Sequence, residues 1–227
     1  MAKAAAKIKA PAKPEDVVEI IDVEQGSTEW LEIRRGIVTA SNLKIIMRSG
    51  KDGGESATRR GLLYKLAGEI LSGEVEEGFK SEAMKRGNLM EPEAREYYAR
   101  TTFAEVKQIG FIRRTLANGI VVGCSPDSQV GPKRGLEIKT MAPHLLIEQA
   151  EKGTPPTDHR HQIHGTMWVA GWDEMDLLLF YRGMPVAPRY RFERDDLFIK
   201  EISDEVERFD YDLKMLVKKI RSMGGAR

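Results

Sequence analysis

The segment CSPDSQVGPKRGLEIK, residues 124–139, sets the architecture, because it reads as two strands folded back on each other around a glycine-proline turn. Strands over 119–124 and 136–140 flank that turn, Gly131-Pro-Lys-Arg-Gly135. Side chains alternate along a strand, so Leu136, Ile138 and Thr140 face the core while Glu137 and Lys139 share the other face, about 7 Å apart. If the turn lays the preceding stretch alongside, the Asp127 carboxylate converges with that of Glu137. Two carboxylates and an ammonium then meet. Hard carboxylate oxygens suit Mg²⁺, which keeps several waters and takes further ligands from a phosphate. A lysine beside such a cation has its pKa lowered and can orient or deprotonate an attacking water. Taken on spacing alone, the same residues also fit a surface salt bridge.

Outward from this segment, helices and strands share the chain. Ser27 or Thr28 caps a helix to Arg35, Gly36 turns the chain, and Thr39 caps a second helix over 40–47. A glycine-rich loop over 50–56 precedes a helix over 58–71, with Leu62, Leu63, Leu66 and Ile70 on one face. A further helix runs over 81–100, where Pro92 imposes a kink or a fresh first turn and so places Glu91 at a helix start or kink. A strand is expected over 106–113. A helix over 157–169 follows the Pro155-Pro156 break, then strands over 176–181 and 189–193. The last helix has the plainest signal, with Ile199, Ile202, Val206, Phe209, Leu213, Leu216 and Ile220 recurring at steps of three and four. Its lysine-rich end, Lys214, Lys218, Lys219 and Arg221, complements the helix dipole.

With 227 residues, 41% of them apolar and 31% charged, the chain can build one sizeable core and is too polar for a membrane protein. The densest apolar run, residues 177–181, falls far short of the roughly 18 residues that span a bilayer. A lone cysteine, Cys124, excludes an intrachain disulfide and any multi-cysteine zinc site, and suits a reducing compartment, with the cytoplasm as default. The 36 basic and 35 acidic side chains nearly cancel, so a nucleic-acid surface must come from local segregation of charge. Residues 1–14 hold four lysines, six alanines and two prolines with no acid, which predicts a flexible basic tail over 1–15 followed by a single domain, 16–227.

Several blocks, in order, resemble the phage lambda exonuclease family, recombination nucleases of the restriction-endonuclease-like superfamily. They are Glu24-Gln-Gly26, residues 30–41 (WLEIRRGIVTAS), Gly87-Asn-Leu-Met-Glu91, Cys124-Ser-Pro-Asp127, Leu136-Glu-Ile-Lys139, and Gln162 followed by Met167-Trp168. The resemblance spans roughly residues 24–220 and implies an α/β fold with a restriction-endonuclease-like core, a central mixed β-sheet flanked by α-helices in one domain. It further implies a metal site of Glu91, Asp127 and Glu137 with the Ile138 carbonyl as a further ligand, Lys139 as catalytic lysine, and Gln162 supporting the water or the lysine. Arg34, Ser41 and Ser125 match positions that hold a 5′-terminal phosphate; a capping serine and a solvated arginine are the plainer alternative. Met84 matches an apolar wedge at the duplex fork, though a helix methionine also suits a core.

The activity so implied is a Mg²⁺-dependent 5′→3′ exonuclease, with Mn²⁺ able to substitute. It would act on ends of double-stranded DNA, releasing mononucleotides and leaving 3′ single-stranded tails for recombination. A ring-shaped homotrimer and a single-strand annealing partner are implied with it. The alternatives are a site-specific endonuclease of the same superfamily and a catalytically silent DNA-end-binding scaffold. A rival chemistry comes from His159-Arg-His161-Gln-Ile-His164, whose spacing is similar to a zinc hydrolase loop. Ile163 stands where such loops carry aspartate, and the segment reads as a helix with His161 and His164 on one face.

Overall fold

The computed structural model describes residues 15–50, 54–75 and 82–224, with side chains from residue 86 onward in the last stretch. Strand β1 (Val17–Ile21), helix α1 (Thr28–Ile33) and strand β2 (Val38–Thr39) lead into a 3-10 turn (Ala40–Asn42) and helix α2 (Leu43–Ile46). Helices α3 (Ala57–Ser72) and α4 (Glu82–Thr102) follow, then strands β3 (Phe111–Thr115), β4 (Val121–Cys124), β5 (Ser128–Gln129) and β6 (Arg134–Thr140). Helix α5 (Pro143–Lys152), a second 3-10 turn (Thr157–His159) and helix α6 (Arg160–Ala170) lead to strands β7 (Glu174–Phe180) and β8 (Arg189–Glu193) and helix α7 (Asp196–Gly224).

The strands form two four-stranded mixed sheets, ordered β1-β3-β4-β2 and β5-β6-β7-β8, so the expected α/β architecture is present with its strands divided between two ladders. In the first, β2 runs parallel to β4; in the second, β6 runs parallel to β7 with antiparallel strands outside them. Period-two alternation distributes the second sheet's side chains between two cores. Leu136, Ile138, Leu178 and Phe180 pack with Met90, Ala94 and Tyr98 of α4, while Met175, Leu177 and Leu179 pack with residues of α6 and α7. Both faces are therefore covered. Glu137 does not lie on an open charged face, as strand alternation alone suggests, but is 2% exposed.

Helix α7 buries Phe198, Ile199, Ile202, Val206, Phe209, Leu213 and Val217, each burial contributing about 1.5–3 kcal/mol. The expected stripe departs at its end, where Val217 takes the inward place and Ile220 is 41% exposed, because the helix outruns the body of the protein. Helix α4 runs through Pro92, so Glu91 stands mid-helix and not at a helix start. The missing proline N–H removes one hydrogen bond from the ladder, the one that the Asn88 carbonyl would accept. The strand expected over 106–113 begins only at Phe111. Before it only Lys107 pairs, in an isolated antiparallel bridge with Gln129, and Gly110 passes so close to the Val23 carbonyl oxygen that an added Cβ would lie 2.2 Å from it.

Strand β4 delivers Cys124 and the following loop, and it does so against a tight contact. A Cβ on Gly123 would meet the buried Phe111 ring at 2.1 Å. Gly123→Ala is expected to destabilise the fold by about 1–3 kcal/mol, read as a lower urea midpoint at unchanged slope. An unchanged midpoint would show that the ring yields freely.

Candidate active site

Asp127 lies one residue before β5, and pairing of Ser128 with Leu136 puts it level with Glu137 on β6. Its carboxylate accepts a hydrogen bond from the Ile138 backbone N–H at 2.5 Å, which ties the loop to the strand. From α4, Gly87 and Glu91 close the other side, and the walls enclose a cleft of about 340 Å³ lined also by Ile138 and Lys139. A Cβ on Gly87 would sit 3.3 Å from Thr140 Oγ1, so α4 rests close on the end of β6.

Glu137 Oε1 accepts from Lys139 Nζ at 2.6 Å and from Gln162 Nε2 at 2.5 Å. Gln162 comes from α6, the helix that covers this face of the sheet. Glu91 pairs with Arg95 one helical turn later, and Arg95 also donates to Ser128 Oγ. The structure thus brings Glu91, Asp127, Glu137, Ile138, Lys139 and Gln162 into one neighbourhood. Met84 lies outside the residues whose side chains are described.

Charge and burial set the proton affinities. Burial, reinforced by Glu137 and Glu91, pushes the Asp127 carboxyl well above the usual carboxylate range. Burial also raises Glu91, against the opposing pull of Arg95. For Lys139, burial works downward, but the Glu137 and Asp127 carboxylates outweigh it and the net direction is up. Among the carboxylates alone the lysine is held as an ammonium, whereas sequence reasoning places its fall beside a cation.

The chemistry of this donor set fits a hard divalent cation. Among the described residues, no three histidine, cysteine or acidic side chains already stand at metal-holding positions, since each carboxylate is turned to a protein donor. Yet Glu137 Oε2 is buried with no hydrogen-bond partner among the described residues. A buried carboxylate oxygen left bare is costly unless a cation or donor meets it. Oxygen-only ligands beside a cleft are the donors that Mg²⁺ accepts.

Two residues from Asp127, Ser125 belongs to a second cluster. Its Oγ accepts from Arg34 Nη1 at 3.0 Å and from Trp30 Nε1 at 2.9 Å, and the Arg34 guanidinium stacks on the Trp30 ring at 3.8 Å. Burial pulls the Arg34 pKa down to about 10. Trp30 and Arg34 are four residues apart on α1 and its cap, hence on one face. That spacing is the signal in the sequence for a role of Trp30 beside Arg34. Ser41 is exposed, its Oγ 3.0 Å from Thr39 Oγ1, and no hydrogen bond joins it to Arg34 or Ser125 among the described residues. Gln25 clamps the loop between the two clusters, donating to the carbonyls of Ile109 and Pro126 at 2.7 and 3.0 Å. Cys124 is buried, which pushes its thiol up and away from nucleophilic use.

The histidines take another course. His161 and His164 do share a face of α6, and both set ring edges against Phe198, with centroids 5.3 and 5.4 Å away. Burial lowers the pKa of each. The Arg160 guanidinium stacks on the same Phe198 ring at 4.1 Å and opposes a further charge on either imidazole.

Residues 29–173 match the model of the YqaJ-like viral recombinase domain, well over half of the chain. The chain belongs to that family. The expected likeness to lambda-type recombination exonucleases is borne out by this match and by solved structures. An alkaline exonuclease (LHK-Exo) from Laribacter hongkongensis is 28% identical, covering 88% of this chain and 98% of that one, with a TM-score of 0.78. The same exonuclease in complex with dAMP gives 29% identity, the same coverage and a TM-score of 0.77. A phage-related exonuclease from Haemophilus somnus 129PT shares the fold at 18% identity, covering 81% and 96% of the two chains, with a TM-score of 0.58. No curated protein sequence matches significantly. Family membership and the fold support a nuclease that acts on DNA. Among the described residues, no helix of this recombinase-family chain is long and apolar enough to cross a membrane.

Proposed function

We propose that the protein is a divalent-metal-dependent exonuclease that grips the 5′-phosphorylated end of a DNA duplex, digests that strand 5′→3′ and leaves a 3′ single-stranded tail. The observation that carries this reading is the adjacency of two clusters on one short loop. Ser125 faces the Arg34–Trp30 pair, and Asp127 faces Glu137, Lys139 and Glu91.

In this reading Arg34 and Ser125 bind the terminal phosphate, the half-buried guanidinium offering charge and a planar fork. Ser41, on the 3-10 turn that follows β2, the strand paired with β4, contributes to the same pocket. Glu91, Asp127 and Glu137, with the Ile138 carbonyl, hold Mg²⁺ or Mn²⁺. When bound, such a cation polarises the scissile phosphate and lowers the pKa of water. Lys139 orients the attacking water through its ammonium, and Gln162 keeps Glu137 aimed by occupying Oε1. Release of mononucleotides accords with the relative solved with dAMP. The proposal extends to a homotrimer that encircles its substrate, a single-strand annealing partner, and work in a reducing cytoplasm by one domain over 16–227 with a basic tail over 1–15.

The test supplies linear duplexes with 5′-phosphate or 5′-hydroxyl ends, and closed circles, each with Mg²⁺ or with chelator. Mononucleotides are expected from linear DNA, fastest with 5′ phosphate, and chelator is expected to abolish release. Discrete fragments or equal cutting of circles would replace this reading with an endonuclease. Bound but intact ends under Mg²⁺ would replace it with a scaffold.

A further inference from the structure

Glu91 and Asp127 reach the cleft from unrelated parts of the chain, one from the middle of α4 and the other from the loop before β5. Arg95 touches both supports. Its Nη2 lies 2.5 Å from Glu91 Oε1, one helical turn back, and its Nε donates to Ser128 Oγ at 3.0 Å. Ser128 is fully buried, and its hydroxyl in turn donates to the Asp127 carbonyl at 2.5 Å. The Arg95 side chain is 16% exposed, so the pair is shielded from water in a way that surface ion pairs are not.

Resting on the metal-site reading above, we infer that Arg95 is a positioning residue. It locks the Glu91 carboxylate by one oxygen so that the other is presented to the metal, and it pins α4 to Ser128, the first residue of β5, next to Asp127. The geometry explains why an arginine is used. A guanidinium has donors pointing in two directions from one rigid plane and can hold Glu91 and Ser128 at once, whereas an ammonium on a flexible stem holds one of them well. It also compensates for Pro92, which removes a backbone hydrogen bond from the helix immediately after Glu91. A cation beside a metal ligand has two opposing consequences: its charge repels the metal, and its hydrogen bond fixes the ligand. The buried, doubly anchored placement favours the second, since groups that orient metal ligands are typically worth about 10- to 100-fold in affinity.

The sign is open to measurement without catalysis. Mn²⁺ is titrated into the full chain without DNA, and free Mn²⁺ is followed by electron paramagnetic resonance, for wild type, Arg95→Met, Arg95→Lys, Glu91→Ala and the double variant Glu91→Ala/Arg95→Met. Arg95→Met is expected to weaken Mn²⁺ binding about 10- to 100-fold. In the Glu91→Ala background the same change is expected to cost clearly less, because only the arm through Ser128 to the Asp127 loop is then left to lose. Unchanged or tighter binding by Arg95→Met, or an equal loss in the Glu91→Ala background, would overturn the inference. Should Arg95→Met fail to fold by circular dichroism, Arg95→Lys decides: binding weaker than wild type supports a two-armed strut, and equal binding rejects it. Wild-type protein that takes up no Mn²⁺, or Glu91→Ala that binds it as wild type does, would sink the metal-site reading itself, whereas wild-type binding matched by the Arg95 variants alone sinks only the role of Arg95.

Discussion

Replacing Lys139 with alanine is expected to slow DNA hydrolysis by about two to four orders of magnitude while leaving binding of duplex ends nearly intact. The expectation follows from where the ammonium stands. It is 31% exposed at the rim of the cleft, 2.6 Å from Glu137, and held protonated by the carboxylates around it. Such a group is placed to act on water and on developing charge. Single-turnover rates at saturating enzyme isolate the chemical step, and end binding measured with chelator present supplies the control. Glutamine, which keeps a donor without the charge, should recover little. Full activity in Lys139→Ala would remove the lysine from the mechanism and leave it as a salt bridge to Glu137.

The second large effect is on end selection. Arg34→Ala should lower the preference for 5′-phosphorylated over 5′-hydroxyl ends by about 10- to 100-fold, since a hydrogen bond to a charged group contributes about 1.5–3 kcal/mol. Arg34 is suited to this because its charge is already desolvated and its plane is braced on Trp30. A phosphate that meets it need not strip away a full hydration shell. Initial rates on the two substrates give the ratio directly, and cutting of 5′-hydroxyl ends should hardly change. An unchanged ratio would reject the phosphate pocket. Arg34→Lys is expected to fall between, retaining charge and losing the fork and the stacking plane.

Much of this was legible from sequence where a local rule had a tertiary counterpart. The 131–135 turn and strand alternation put Asp127 level with Glu137, but the strands expected to flank that turn lie in different sheets: β4 pairs with β2 and β3, and the short β5 is the strand folded back on β6. Ser27 caps α1 by accepting from the Trp30 N–H, as its position suggested. The misses have physical causes. Strand β1 is an edge strand with Val17, Val18 and Ile20 exposed, so it carries no in-out alternation to read. Strand β5 is two residues long, below any periodic signal. Helix α5 begins at Pro143, in first-turn position, and ends at Gly153 in the left-handed region, yet its face is marked by few buried residues. Glu91 is expected at a helix start or kink because proline rules describe an isolated helix, whereas α4 runs on through Pro92 with Met90 and Ala94 on either side of it buried in the core. The bonds from Arg95 to Ser128 and from Gln25 to Ile109 and Pro126 leave no trace in spacing, because they join segments far apart in the chain, whereas the four-residue step from Glu91 to Arg95 was open to reading.

Ser125 and Asp127 are separated by one residue, Pro126, whose ring fixes its φ and whose carbonyl is held by Gln25. Two residues of extended backbone measure at most about 7 Å, a length comparable to one nucleotide. Under the proposed assignment this stiff dipeptide acts as a ruler: anchoring the terminal phosphate at one end sets the bond to be broken at the other. The stride of the enzyme would then be written into the loop, and lengthening it by one residue should blur the register of the products and release dinucleotides alongside the single unit.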